Sequence, residues 1–253
     1  MSELQEKHAL VTGGGTGIGL GVAQALAAAG AEVTITGRDL ARLEHVAADH
    51  ARLHPLAMDV ADEANLRAGI TAAAAARGPI AICVANAGIA EPAPFAQETL
   101  AHWREVMAIN LDGCFLTLQA AMATLSPGDW GRMIAISSIA GLRGLKFAPA
   151  YTASKHGVIG LIRAMSEEYL SGPVTFNAIC PGYVDTAIVT RNAAEIAARQ
   201  GISDTEARAY LARGNRHKTL LEIDEVTGAV LWLCSDAARS VNGQNIQIAG
   251  GQV

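Results

Sequence analysis

Charge is scarce in this chain. Only 17% of its 253 residues are charged, against 51% apolar, which excludes a disordered, self-solvating polypeptide. The net charge of −5 comes without any Lys/Arg run or basic stripe, so a nucleic-acid partner is not expected. The opening Met-Ser-Glu-Leu-Gln-Glu-Lys lacks the apolar core of a signal peptide. No uninterrupted apolar stretch is long enough to span a membrane, so no membrane partner is expected. Cysteine is sparse and dispersed: Cys83, Cys114, Cys180 and Cys234 are far apart in apolar contexts. They read as buried thiols of a reducing compartment, not as disulfides or metal ligands. No His, Cys and carboxylate cluster with ligand spacing stands out, and no metal is expected. These absences point to a cytoplasmic protein. Repeats, linkers and low-complexity segments are also missing, so residues 1–253 are expected to form one domain, and the length suits a single α/β core.

What is present is glycine in a telling place. The apolar run His8-Ala9-Leu10-Val11 enters Thr12 to Gly19, T-G-G-G-T-G-I-G, and an alanine-rich helix begins near Ile18. A strand, a glycine turn and a helix N-terminus together make a seat for the diphosphate of a dinucleotide. Glycine lets the backbone approach the phosphates, and the helix end offers free N–H groups and a positive dipole end. The spacing, Gly13-x3-Gly17-x-Gly19, differs from the G-x-G-x-x-G fingerprint.

Strands and helices then alternate. The helix after the turn shows Val22, Ala25, Leu26 and Ala29 at helical spacing and ends at Gly30. Glu32 to Thr36 is a second strand, followed by Gly37-Arg38-Asp39. An NAD-preferring site places an acidic side chain at this strand end for the ribose hydroxyls. Here the first position has no side chain and the next is Arg38, able to pair with a 2′-phosphate, so NADP(H) is favoured over NAD(H). Asp39 is expected to cap a helix from Leu40 to Ala51. A third strand, His54 to Met58, ends in Asp59-Val60. That carboxylate can accept from an adenine amino group, cap the helix near Glu63, or do both. Ile80 to Ala85 is a continuous apolar strand, as in a parallel sheet buried on both faces, and it leads into Asn86-Ala87-Gly88. A long helix from Thr99 to Met122 contains Asn110, a polar amide that must be bonded, and that bends the helix or holds water. Further strands cover Arg132 to Ser137, Val174 to Cys180 and Asn245 to Ala249. Further helices cover Pro149 to Leu170 and Ile223 to Cys234. Residues 186–218, alanine-rich, charged and broken by Gly201 and Gly214, suit two short helices forming a mobile lid. The fold class expected is a doubly wound parallel sheet, Rossmann-like, with a small helical substrate lid.

Tyr151 and Lys155 lie four apart on one helix face. A nearby ammonium stabilises a phenolate, so the lysine is expected to lower the tyrosine pKa and fit it for proton transfer. Ser138, at the end of a strand, can hydrogen-bond a carbonyl oxygen and hold it beside Tyr151. Ligands of open α/β sheets bind outside the carboxyl ends of the strands, where Ser138, Asn86 and the glycine turn converge.

With these residues in this order, the chain resembles the short-chain dehydrogenase/reductase family over essentially its whole length, and its 3-oxoacyl-thioester reductases in particular. The resemblance rests on T-G-G-G-T-G-I-G, Asp59, Asn86-Ala87-Gly88, Asn110, Ser138, Tyr151-T-A-S-Lys155 and Pro181-G-Y-V-D-Thr186. It implies Gly13, Thr16, Gly17, Ile18 and Gly19 at the diphosphate, and Asp59 and Val60 at adenine. It implies Asn86, Ala87 and Gly88 supporting sheet and cofactor, and Pro181, Gly182, Val184 and Thr186 at the nicotinamide. Tyr151 is then the catalytic acid/base. Lys155 tunes it and binds the ribose, Ser138 orients the substrate oxygen, and Asn110 holds a water. The family's Asn-Asn-Ala-Gly stands here as Ala85-Asn86-Ala87-Gly88, a small departure.

The implied reaction is hydride transfer between a ketone and a secondary alcohol. The expected walls are Ile139 to Phe147, Ala90 to Phe95, Tyr183 and the lid from Ile188, with Arg143, Lys146 and Arg191 as nearby cations. They suit an apolar carbonyl compound, including one with an anionic handle such as a thioester. A secondary-alcohol or hydroxysteroid-type dehydrogenase is the alternative. A catalytically silent dinucleotide sensor is a third reading, against which the intact Ser138, Tyr151 and Lys155 argue. The family also implies a homotetramer, with the helices around Asn110 and after Pro149, and Asn245 to Val253, as candidate interfaces.

Overall fold

The computed structural model describes residues 4–252. Val253, within the expected C-terminal interface, and the first three residues of the expected leaderless start lie outside them. Within these bounds the chain alternates β1 (His8–Thr12), α1 (Gly17–Ala28), β2 (Glu32–Gly37), α2 (Leu40–Ala47), β3 (Leu53–Ala57), α3 (Glu63–Arg77) and β4 (Ile80–Ala85). It continues through α4 (Leu100–Met107), α5 (Gly113–Met122), β5 (Gly131–Ile136), α6 (Pro149–Glu168) and β6 (Val174–Pro181). The lid helices α7 (Ala187–Gln200) and α8 (Asp204–Ala212) follow, then α9 (Ile223–Cys234) and β7 (Asn245–Ile248).

The strands form one parallel sheet in the order β3-β2-β1-β4-β5-β6-β7. Side chains alternate across it with period two. Ala9, Val11, Ile82, Val84, Ile134 and Ile136 face a core closed by Val22 and Leu26 of α1 and Val226, Val230 and Leu233 of α9. Leu10, Cys83, Ala85, Met133 and Ala135 face the other way, onto α3, α5 and α6 through Leu66, Ile70, Leu118, Val158 and Ile162. Covering both faces requires the continuous apolar strands seen in the sequence. The chain order reverses between β1 and β4, which opens a crevice at their carboxyl ends.

The lid residues form the two helices expected, with a small core of their own built from Val189, Ala193, Ala197, Ala207 and Leu211. Three details differ from the sequence reading. The helix from Leu40 stops at Ala47 instead of Ala51. The helix expected to run unbroken from Thr99 is α4 and α5 joined by a π-turn at Ala108–Asp112, which takes in Asn110. The cap of α3 is Asp62, whose side chain accepts from Asn65 N, while Asp59 accepts from Ala61 N. Asp39 does cap α2, through Arg42 N at 3.0 Å.

Candidate active site

The glycine turn is tight because its neighbours leave no room. Gly13 and Gly17 have φ of 65° and 53°, in the left-handed region that glycine enters without cost. A side chain on Gly13 would place its Cβ 3.1 Å from Ala87 Cα, and one on Gly19 would run into Gly13 O and Asn86 Nδ2. Asn86 fastens the turn to the end of β4: its Nδ2 donates to Thr12 O at 2.9 Å. The Thr12 hydroxyl accepts from Asn86 N and Ala87 N, each at 3.0 Å. Thr16 supplies no side-chain cap to α1, so the first-turn N–H groups remain open to an anion. A turn with no room for a Cβ at Gly13 or Gly19, ending on an uncapped helix N-terminus, fits the diphosphate of a dinucleotide.

The turn opens into a cleft of about 530 Å³. Gly13, Thr16, Gly17 and Ile18 line one end, with Asn86, Ala87 and Gly88 beside them. Ser138, Tyr151 and Lys155 line its floor, and Pro181, Gly182, Val184 and Thr186 its far wall. The cleft therefore collects most of the site residues expected from the sequence. Gly19, Arg38, Asp59, Val60 and Asn110 lie outside its lining. Gly19 packs on Gly13 and Asn86, and Asn110 bonds Ile89, all three of them lining residues. Arg38 is exposed just beyond β2, and Val60 packs beneath Gly113.

Lys155 is 5% exposed and its Nζ donates to Ile136 O at 2.8 Å. Ser137, which also lines the cleft, donates to Lys155 O at 3.2 Å, while Ser138 Oγ accepts from Ala140 N at 3.1 Å. Asn110 Oδ1 accepts from Ile89 N at 2.8 Å, and its Nδ2 donates to Ile89 O at 3.0 Å and Ser154 Oγ at 3.2 Å. A Cβ on Gly88 would sit 3.2 Å from Asn110 Oδ1 and 3.6 Å from Lys155 Nζ, so a side chain there would crowd the Asn110 amide.

Burial pushes the Lys155 ammonium down to about 8. Burial also pushes the Tyr151 phenol above its ordinary value, and the Ser138 side chain, acting in the other direction, does not offset it. The lowering of Tyr151 expected from its neighbour is thus reversed in the protein alone. The physical reason is that Nζ stands 5.8 Å from the ring centroid and spends a hydrogen on Ile136 O. Desolvation of the phenolate then dominates.

The substrate end is apolar, with Ile139, Leu145, Phe147, Ile188, Val189 and Leu211 on its walls. Of the three cations expected there, Lys146 lines the cleft, Arg143 instead bonds Gln252 Oε1 at 3.0 Å, and Arg191 is not in the lining. Arg199 of α7 takes its place. Residues the sequence did not single out are Thr12, whose role needs the β1–β4 pairing to be seen, Ser154, Asn192 and Asn215. Asn192 lines the cleft and its Oδ1 is buried without a partner.

A glycine cradle at the switch point of a parallel sheet, with Ser, Tyr and Lys on the floor of the same cleft, defines a Rossmann-type oxidoreductase. The chain belongs to the short-chain dehydrogenase/reductase family, whose model, short chain dehydrogenase, matches residues 7–197. It is 36% identical over 252 residues to cis-4-hydroxycyclohexanecarboxylate dehydrogenase of Sinomonas cyclohexanicum, covering 97% of this chain and 96% of that protein. It is 32% identical over 254 residues to 3-oxoacyl-[acyl-carrier-protein] reductase of Aquifex aeolicus, covering 98% of both. The crystal structure of an actinorhodin polyketide ketoreductase variant with NADPH superimposes with a TM-score of 0.93 at 28% identity, covering 98% of each chain.

Proposed function

We propose that this protein interconverts a ketone and a secondary alcohol with NADP(H), and that its substrate is a 3-oxoacyl thioester. The observation that carries the reaction is the placement of Ser138, Tyr151 and Lys155 on the floor of the cleft that begins at the glycine cradle. When bound, the nicotinamide supplies or accepts the hydride. Gly13, Thr16, Gly17 and Ile18 hold the diphosphate, Arg38 the 2′-phosphate, Asp59 and Val60 the adenine end, and Pro181 to Thr186 the nicotinamide end. Ser138 donates a hydrogen bond to the substrate oxygen. In the reducing direction Tyr151 gives its proton to that oxygen as negative charge develops on it. Its raised pKa keeps the phenol protonated and ready to donate. Lys155 is buried and titrates near 8, so its ammonium can stabilise the phenolate left behind. Asn110 holds Ile89 and Ser154 in place, with a lone pair of Oδ1 left for a water.

The thioester is supported by the apolar walls, by Lys146 and Arg199 as partners for an anionic handle, and by the reductase relative. A secondary-alcohol dehydrogenase acting on a hydroxy acid is favoured by one observation, the 36% identity to the hydroxycyclohexanecarboxylate enzyme. A homotetramer in the cytoplasm completes the proposal. The half-exposed Phe115 on α5 and Trp232 on α9 are apolar surface available for it, and no described helix is long and apolar enough to cross a membrane.

The test is initial rates with acetoacetyl-CoA and NADPH. Wild type turns over, and Tyr151→Phe loses about 10²- to 10⁴-fold in kcat while still binding NADPH. Turnover unaffected by the substitution would overturn the role of Tyr151. Dinucleotide binding with no turnover of thioesters, hydroxy acids or other alcohols would make the protein a sensor instead.

A further inference from the structure

Asn215 follows α8 and is 1% exposed. Its Oδ1 accepts from Tyr183 N at 2.9 Å, and its Nδ2 donates to Tyr183 O at 2.9 Å and to Thr219 O at 2.7 Å. Oδ1 also accepts from Gln252 Nε2 at 3.3 Å, so both lone pairs and both hydrogens of the amide are engaged. One side chain thus pairs with both backbone groups of Tyr183, as a neighbouring strand would. Gly182 makes this approach possible, because a Cβ there would run into Asn215 Oδ1. The link continues outward: Gln252 accepts from Arg143, which stands on the loop that follows Ser138.

The segment so clamped, Pro181 to Thr186, is anchored at its start by β7, where Gly182 N donates to Ile248 O at 2.9 Å, and near its end by Arg208, which bonds Asp185 Oδ2 at 2.6 Å; between them Asn215 shares the hold on Tyr183 with Leu221. Leu221 N donates to Tyr183 O at 2.8 Å and Asp185 N to Leu221 O at 2.9 Å, and Val184 pairs with Leu221 in a single bridge. A binding loop held in its bound shape avoids the ordering cost on ligand binding.

We propose that Asn215 is a positioning residue for the dinucleotide: it fixes the segment Pro181–Thr186 against the nicotinamide end and ties the exit of the lid to it. This rests on the reading that the segment meets the nicotinamide. The clamp acts on one half of the ligand only, which separates it from a merely structural role.

The experiment compares two ligands by titration. One is whichever of NADPH and NADH wild type prefers. The other is the matching adenosine fragment without nicotinamide, adenosine 2′,5′-bisphosphate or ADP. Asn215→Ala is expected to weaken the whole dinucleotide about tenfold and the fragment less than twofold. The Leu221 bonds remain to keep the variant folded, which its melting curve checks. If Asn215→Ala does not fold, the isosteric Asn215→Asp, which loses both donors, carries the same comparison. Equal losses for both ligands, or no loss for either, overturn the proposal. A wild-type protein that binds the fragment no more weakly than the dinucleotide overturns the nicotinamide reading, and the assignment of Asn215 with it.

Discussion

Arg38 shows how much a single residue can decide. β2 ends at Gly37, and the carboxylate that follows, Asp39, is committed to capping α2 and to Arg42 at 3.5 Å. No described carboxylate lies within ion-pairing distance of Arg38, which stands exposed past the strand whose Thr36 O accepts from Gly14 of the cradle. In the proposed role the Arg38 guanidinium would pair with a 2′-phosphate in a charge-assisted, two-pronged geometry that a lysine cannot match. Hydrogen bonds to charged groups contribute about 1.5–3 kcal/mol. The lower figure applies here, because water screens an exposed arginine. Arg38→Ala should therefore reduce the ratio of kcat/KM for NADPH over NADH by about tenfold, with kcat for NADH unchanged. Steady-state rates with both coenzymes read this directly. An unchanged ratio would remove Arg38 from the cofactor site and leave Ser138, Tyr151 and Lys155 untouched.

The joint between α4 and α5 is an element-scale device. An α-helix carried straight through would not present Asn110 to the loop after β4. The π-turn adds a residue to the turn, a common accommodation at functional sites, and aims the amide at Ile89. Asn110→Leu would leave Ile89 N and O without those partners, and because Ile89 is only partly buried the cost sits near the lower end of about 1–3 kcal/mol for each group. The expected result is a lower urea midpoint together with a raised KM, because Ile89 lines the cleft. A midpoint within error of wild type would show that the loop does not depend on this amide. The joint also marks the limit of what the sequence discloses. Strand and helix alternation was legible because β-branched runs, glycine stops and the apolar β4 are local signals. The convergence of the glycine turn, Ser138, Tyr151 and Lys155 was legible because the first two stand at element ends, and Tyr151 and Lys155 share one face near the start of a helix. The π-turn was not, since Leu111 and Gly113 continue an apolar pattern that an unbroken helix would share. The cap of α3 was misplaced because Asp59 and Asp62 both precede the helix, and only the backbone decides between them. Asn215 gave no signal: its partners at Tyr183 and Gln252 are remote in the chain, and an asparagine after a helix reads as an ordinary turn.

At the scale of the whole molecule, helices seal both faces of the sheet, and they seal the thiols in with it. Cys83, Cys114, Cys180 and Cys234 are free and buried. Burial pushes Cys114 and Cys234 up to about 12 and Cys180 up to about 11, and raises Cys83 as well. In the unfolded chain a thiol ionises near pH 8.5. Above that pH the unfolded state releases protons that the folded state keeps, so the native state is the more protonated and stability falls as pH rises. Each such thiol contributes about 1.4 kcal/mol per pH unit across the gap. Lys155 works in the opposite sense: its folded value of about 8 lies below the unfolded one, so its ammonium penalty fades as pH climbs past 8. One lysine cannot offset four thiols, and the raised Tyr151 and Tyr183 add to the loss beyond pH 10. Urea midpoints under a reductant should therefore decline steeply from pH 9 to 11. In Cys234→Ala the decline should be shallower by the share of one proton, whatever the cavity costs at neutral pH, because the cavity term does not depend on pH. A profile flat to pH 11 would mean that water reaches these thiols in the native state, and that the two cores breathe far more than their packing implies.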